Sequence, residues 1–236
     1  MCIPTTPPVD RPDDAAARFL SLASHDLRGP LSTVRSYASL LRSPRFVLDD
    51  RVRAAVEVIL RNVDRALGQW ELLAEAWRLD IGGLGLDLRD EDLLPLIRAS
   101  ADAAATTARE HGIRLDVLLP ASLPLARVDL DRVVLVLAGA WAHLLERTRP
   151  GGAAGLGARA EATDVALTFW DSGPPLNPEA ERHVFDRQWQ TLRGHELGTA
   201  FRMALAGALV QAHGGRAEVG SLNGRTLFHF RLPGLR

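Results

Sequence analysis

Two runs of apolar residues at helical spacing dominate the first third of the chain. From Ala15 onward, Leu20, Ala23, Leu27, Pro30 or Leu31, Val34, Ala38 and Leu41 recur at steps of three and four, which puts them on one face of an α-helix. Ser43-Pro44 closes that helix, because the residue before a proline is pushed out of helical geometry. A second helix starts near Asp49-Asp50, whose carboxylates suit the positive end of a helix. It carries Val52, Val56, Ile59, Val63, Ala66, Trp70, Leu73 and Trp77 on an unbroken heptad seam. Each helix is expected to run roughly 40 Å. The short loop between them makes an antiparallel hairpin. A lone hairpin covers its two apolar stripes only partly, so the pattern predicts a homodimer in which two hairpins complete a four-helix bundle.

Ile81-Gly82-Gly83 ends the second helix and gives a hinge. The period then changes. Short strands are expected at Leu84–Leu88, Ile113–Leu118, Leu125–Val128, Gly155–Ala160, Asp164–Trp170, Arg216–Ser221 and Thr226–Leu232. Helices are expected at Glu91–His111, Leu130–Arg147 and Gly198–His213, with a helical turn around Glu179–Phe185. Strand pairs without regular helical crossovers imply a mixed sheet backed by helices on one face. The fold class is therefore an α-helical hairpin, dimerising into a four-helix bundle, followed by an α+β sandwich. The domains read as a disordered tail at 1–14, a helical hairpin at 15–80 and the α+β unit at 84–236.

Composition adds exclusions. A net charge of −1 and 47% hydrophobic residues give no basic field for nucleic acid or an anionic membrane. All 28 positive side chains are arginine, and the single cysteine, Cys2, excludes an internal disulfide and fits a reducing compartment. No apolar stretch has the length of a membrane span, and Met1–Asp14 lacks the apolar core of a signal peptide. The expectation is a cytoplasmic protein with neither membrane nor nucleic-acid partners.

The chemistry concentrates at Ser24-His25-Asp26-Leu27-Arg28-Gly29-Pro30-Leu31. His25 lies ~200° around the helix from the core positions Ala23 and Leu27, so it is expected to face away from the seam. Asp26 can accept a hydrogen bond from one ring nitrogen and leave the other as a nucleophile. Pro30 removes one backbone bond a turn later. This octapeptide, within Phe19–Leu41, resembles the phosphoacceptor box of bacterial sensor histidine kinases, and Val52–Trp77 resembles its dimerisation partner. The resemblance continues in register through residues 15–235, including the ATP-binding domain. It implies that His25 is the phosphorylated residue, with Asp26 beside it. The family usually has Thr or Asn four residues after the histidine, for dephosphorylating a response regulator; here Gly29 stands there.

By the same resemblance the nucleotide site departs from the pattern. Asp129–Gly152 matches the helix in which the family places two asparagines, one a Mg²⁺ ligand; this chain has Gly139 and His143. Glycine offers no ligand, and imidazole is a poor one for a cation that prefers oxygen. Glu146 and Arg147 replace residues that approach the nucleotide. Asp171-Ser172-Gly173-Pro174-Pro175 is similar to the Asp-x-Gly-x-Gly loop, keeping Asp171 for the adenine amino group and Gly173 but ending in Pro175. As a residue type in that place, Asp171 serves equally as a turn former after a strand. Gly198-Thr199-Ala200-Phe201-Arg202-Met203 stands where the family has a glycine-rich phosphate turn. The linking segment Asn177–Leu197 is short for a lid, and Trp189 within it has no assigned role. His111, His213 and His229 lack metal-ligand spacing and read as structural; no metal site is expected.

These losses lead to the expectation that ATP-dependent autophosphorylation is absent. The function expected is a histidine phosphotransferase, with His25 carrying phosphoryl groups between receiver-domain aspartates of a phosphorelay. On that reading the chain needs no cofactor of its own and the receiver supplies Mg²⁺. The partners are response-regulator receiver domains and an upstream hybrid kinase or its receiver. Arg28, Thr33, Arg35, Ser36 and Tyr37, exposed beyond the histidine, are expected to influence receiver choice. Two alternatives stand beside it: an active cytosolic histidine kinase with an unusual ATP site, and a noncatalytic dimeric adaptor that binds a receiver.

Overall fold

The computed structural model describes residues 12–80, 84–186 and 198–235, and the side chains from residue 26 onward. The chain divides into two compact units, Met1–Leu84 and Gly85–Arg236.

The first unit is the helical hairpin. Helix α1 spans Pro12–Arg42 and passes through Pro30 without interruption; α2 spans Asp50–Asp80. The first helix begins three residues earlier than its apolar pattern, at a proline, which the first turn of a helix tolerates. Asp49 caps α2 by accepting from the Val52 N–H at 2.8 Å. Ala38, Val56 and Leu60 form a buried cluster with Leu48 against it. Only part of the predicted seam is covered. Val56 and Val63 are buried, whereas Val52, Ile59, Leu73 and Trp77 are 40–45% exposed, as are Leu27 and Val34 at 45–47%. These uncovered side chains keep heptad spacing on both helices.

A ladder of ion pairs flanks the hairpin. Arg28 meets Glu71 at 3.5 Å, Arg35 meets Asp64 at 2.7 Å and Arg42 meets Glu57 at 3.8 Å. The rungs lie seven residues apart, so they repeat on one face of each helix and fix an antiparallel register. All six side chains remain 39–58% exposed, and such pairs contribute at most ~1 kcal/mol each.

The second unit is a five-stranded mixed sheet in the order β2-β4-β5-β7-β6, with β2 at Arg114–Leu118, β4 at Ala153–Glu161, β5 at Asp164–Asp171, β6 at Arg216–Leu222 and β7 at Arg225–Leu232. β2 and β4 run parallel and the other neighbours antiparallel. Helices α3 (Leu94–Glu110), α4 (Leu130–Arg147) and α6 (Thr199–Ala212) pack on one face, and the short α5 spans Pro178–His183. Alternation along β7 buries Thr226, Phe228, Phe230 and Leu232 while Arg225 and its alternates stay more open. Phe169, Phe228, Phe230, Leu156 and Leu167 are fully buried in the core.

One predicted strand is displaced. Leu84–Leu88 is not a strand; β1 is Arg89–Glu91, paired antiparallel with β3 at Ala126–Val128. The Asp87 N–H donates to the Asp129 carboxylate at 3.1 Å instead of a ladder partner, and the Arg127–Asp90 pair at 3.0 Å lies within the β1–β3 ladder. Helix α3 starts at Leu94, not Glu91, because Pro95 occupies its first turn and Asp92 accepts from the Leu94 N–H at 3.0 Å.

Candidate functional site

Helix α4 carries most of the candidate residues, and its start is fixed by a buried relay. Asp129 caps it, accepting from the Arg132 N–H at 3.3 Å. The Asp129 N–H donates to Nε2 of His213 at 3.1 Å, and Nδ1 of His213 donates to the Leu209 carbonyl at 2.7 Å. His213 thus ties the end of α6 to the start of α4. Gly139 lies where α6 crosses: a Cβ there would stand 2.8 Å from the Arg202 carbonyl oxygen. Its role is close helix approach, a demand no spacing in the sequence displays.

One turn on, His143 is 7% exposed and packs edge-on against Phe228 at 5.4 Å. Neither ring nitrogen has a hydrogen-bond partner of ordinary geometry among the described residues. Burial, reinforced by the Arg147 charge and opposed by the Thr199 backbone, lowers its pKa to about 3. It is therefore neutral at physiological pH. The described residues contain no cluster of three His, Cys, Asp or Glu side chains able to hold a metal. With Gly139 covered by α6 and a buried imidazole at the next turn, these positions do not fit Mg²⁺.

A further turn along, Arg147 reaches a wholly buried carboxylate. It donates from Nε to Oδ2 of Asp171 at 2.9 Å and from Nη2 to Oδ1 at 3.4 Å. Nη2 also donates to the Pro174 carbonyl at 2.6 Å and to Thr226 Oγ1 at 3.1 Å. The Gly173 N–H donates to Oδ1 of Asp171 at 2.7 Å, the turn-forming contact expected of an aspartate after a strand. Gly173 admits no side chain, since a Cβ would lie 2.5 Å from the Arg147 carbonyl. Thr199 Oγ1, in the first turn of α6 behind Gly198, donates to the Glu146 carboxylate. Gly139, His143, Asp171, Gly173 and Thr199 are thereby linked through α4. Sequence reasoning missed the Arg147–Asp171–Thr226 junction, whose members lie on three elements with no periodic relation.

In the first unit, His25 lies in α1, with its side chain outside the described residues; its expected outward orientation falls there too. Asp26 is exposed. Arg28 and Arg35 are spent on the ion-pair ladder. Thr33 and Ser36 donate back to the carbonyls of Gly29 and Ser32. Tyr37 is 65% exposed. The segment 187–197, with Trp189, lies outside the described residues; before it, Asn177 caps α5 by accepting from the Ala180 N–H. His229 meets Thr168 at 3.0 Å, and His111 lies 2.8 Å from the Thr107 carbonyl.

Residues 15–80 match the model of the His Kinase A (phospho-acceptor) domain, and residues 128–236 match the histidine kinase-, DNA gyrase B- and HSP90-like ATPase. The chain belongs to the bacterial sensor histidine kinase family. Sensor histidine kinase MtrB of Mycobacterium tuberculosis is 31% identical over 93% of this chain, and TrcS of the same organism is 31% identical over 92%. The chain spans 39% and 43% of those two proteins. A crystal structure of full-length ShkA in complex with AMPPNP matches 93% of this chain and 46% of its own, with 26% identity and a TM-score of 0.74.

Family membership corrects two expectations. A phosphotransferase that does without ATP, and the absence of ATP-dependent autokinase activity, are overturned by relatives named as sensor histidine kinases across both domains and by the ATPase match. The error was to treat motif losses as additive. The expectation added the side-chain losses together, whereas the sheet, α4 and α6 that build the nucleotide-binding fold are all present. Binding contributions within one site do not sum.

Proposed function

We propose that the chain is the core of an ATP-dependent histidine kinase that phosphorylates itself on His25 and passes the phosphoryl group to a response regulator. A His25 ring nitrogen forms the bond to the γ-phosphorus, the bond to the β-bridging oxygen breaks, and ADP leaves. The group then moves to a receiver aspartate, with Mg²⁺ supplied by the receiver's own acidic pocket. The observation that carries this reading is the pairing, along one chain, of a phospho-acceptor hairpin containing His25 with an ATPase-type domain. Asp171 is the base-side carboxylate of the site, and Gly198-Thr199 at the start of α6 is its phosphate side.

The uncovered heptad positions Leu27, Val34, Val52, Ile59, Leu73 and Trp77 support a homodimer. Incubation with γ-labelled ATP tests the reaction. Acid-labile, base-stable label is expected on the wild type and not on His25→Ala. No label on folded wild-type protein at millimolar ATP would refute the proposal.

A further inference from the structure

We propose that the last turn of α4 is a built-in occupant of the nucleotide site, with Arg147 standing in for a base and Glu146 for a phosphate. The inference rests on the kinase reading, which places a nucleotide between Asp171 and the start of α6. A base amino group would approach Asp171 as a hydrogen-bond donor. Asp171 is already supplied: Arg147 donates to both oxygens at 2.9 and 3.4 Å, and the Gly173 N–H adds a third bond at 2.7 Å. The guanidinium is charged, so its bonds to a carboxylate outcompete those of a neutral amino group. Pro174 and Thr226 hold it in place.

The next residue back along the helix blocks the other end. Helix α6 starts at Gly198 with no side-chain cap, so its first N–H groups and its dipole favour an anion. Glu146 provides one, accepting from Thr199 Oγ1. A separate observation marks this place as built for a polar ligand. His143 lies one turn before Arg147, nine-tenths buried and close to the Thr199 backbone, with no hydrogen-bond partner of ordinary geometry for either ring nitrogen among the described residues. Glu146 and Arg147 reproduce the two ends of a nucleotide, an anion and a donor, but neither makes a hydrogen bond of ordinary geometry to His143. A nucleotide must displace both side chains, and nucleotide affinity is set by how readily the end of α4 releases them.

The test is calorimetric titration of the full chain with ADP, for wild type, Glu146→Gln, Arg147→Met and the double variant. Arg147→Met is expected to bind at least tenfold more tightly, Glu146→Gln at least threefold, and the double variant more tightly than either. Unchanged or weaker affinity in the folded single variants overturns the proposal, as does no detectable binding by any folded variant. Arg147→Met strips a buried carboxylate of its counter-ion, so its thermal unfolding is followed in parallel. Should it fail to fold, Glu146→Gln, changed at an exposed position, carries the test alone. Labelling of His25 is measured separately. Tighter ADP binding with no label supports the occupied site and sinks the kinase reading, whereas equal affinities with normal labelling do the reverse.

Discussion

Acid should destabilise the second domain through His143, and the structure sets the size of the effect. The ring is buried against Phe228 without a hydrogen-bond partner of ordinary geometry among the described residues, and burial, then the Arg147 charge, holds its pKa at about 3 against 6.5 for an ordinary histidine. Below the ordinary value the unfolded chain takes up a proton that the folded domain cannot. The stabilising contribution is whole above pH 6.5 and drains away as the pH falls toward 3. Between those limits the slope is about 1.4 kcal/mol per pH unit, so roughly 2 kcal/mol is lost by pH 5.

His143→Phe keeps an aromatic ring beside Phe228 and removes the titration. Carboxylates titrating in the same range contribute equally to both proteins and cancel in the difference. Scanning calorimetry at pH 7 and pH 5 should show the wild-type midpoint falling about 4–8 °C further than the variant's, at roughly 2–4 °C per kcal/mol for a domain of this size. Equal acid losses in the two proteins would show that His143 has a proton-accepting partner or ready access to water, and the argument would fail.

Gly139→Ala places a methyl 2.8 Å from the Arg202 carbonyl and should cost about 1–3 kcal/mol by urea denaturation; an unchanged midpoint would mean that α4 and α6 separate freely. Asp129→Ala removes the α4 cap and the acceptor for the Asp87 N–H. A loss of about 1–2 kcal/mol is expected from the same assay. Ile59→Glu puts a charge among the uncovered heptad positions and should turn dimer into monomer in sedimentation velocity with helical content retained. Arg35→Ala, which breaks a half-exposed ion pair, should shift stability by less than ~1 kcal/mol.

The hairpin was legible because helical period and charge are local properties of a sequence. The steps from Val52 to Trp77 and the Asp49 cap needed no distant information. The α+β layer was legible for the same reason, from alternation in segments such as Thr226–Leu232. The Leu84–Leu88 strand misled because its alternating leucines carry the right period, while the hydrogen bond that decides the matter comes from Asp129, forty-two residues away. The site was half legible. Resemblance pointed to Gly139, His143 and Asp171, but not to what surrounds them. A glycine read as a missing ligand is a helix crossing, and an arginine read as a substitution is the partner of Asp171. Such contacts join α4, β5, β7 and α6, and only the folded chain brings them together.

The arginine–acid rungs of the hairpin also bear on how two copies assemble. Every cation of the ladder sits on α1 and every anion on α2. Setting two first helices side by side at these heights would oppose like charges, as would setting two second helices so, whereas an alternating ring of unlike helices opposes none. Weak individually, the rungs choose neighbours more than they add strength, and they bias a two-fold bundle toward one circular order of its four helices.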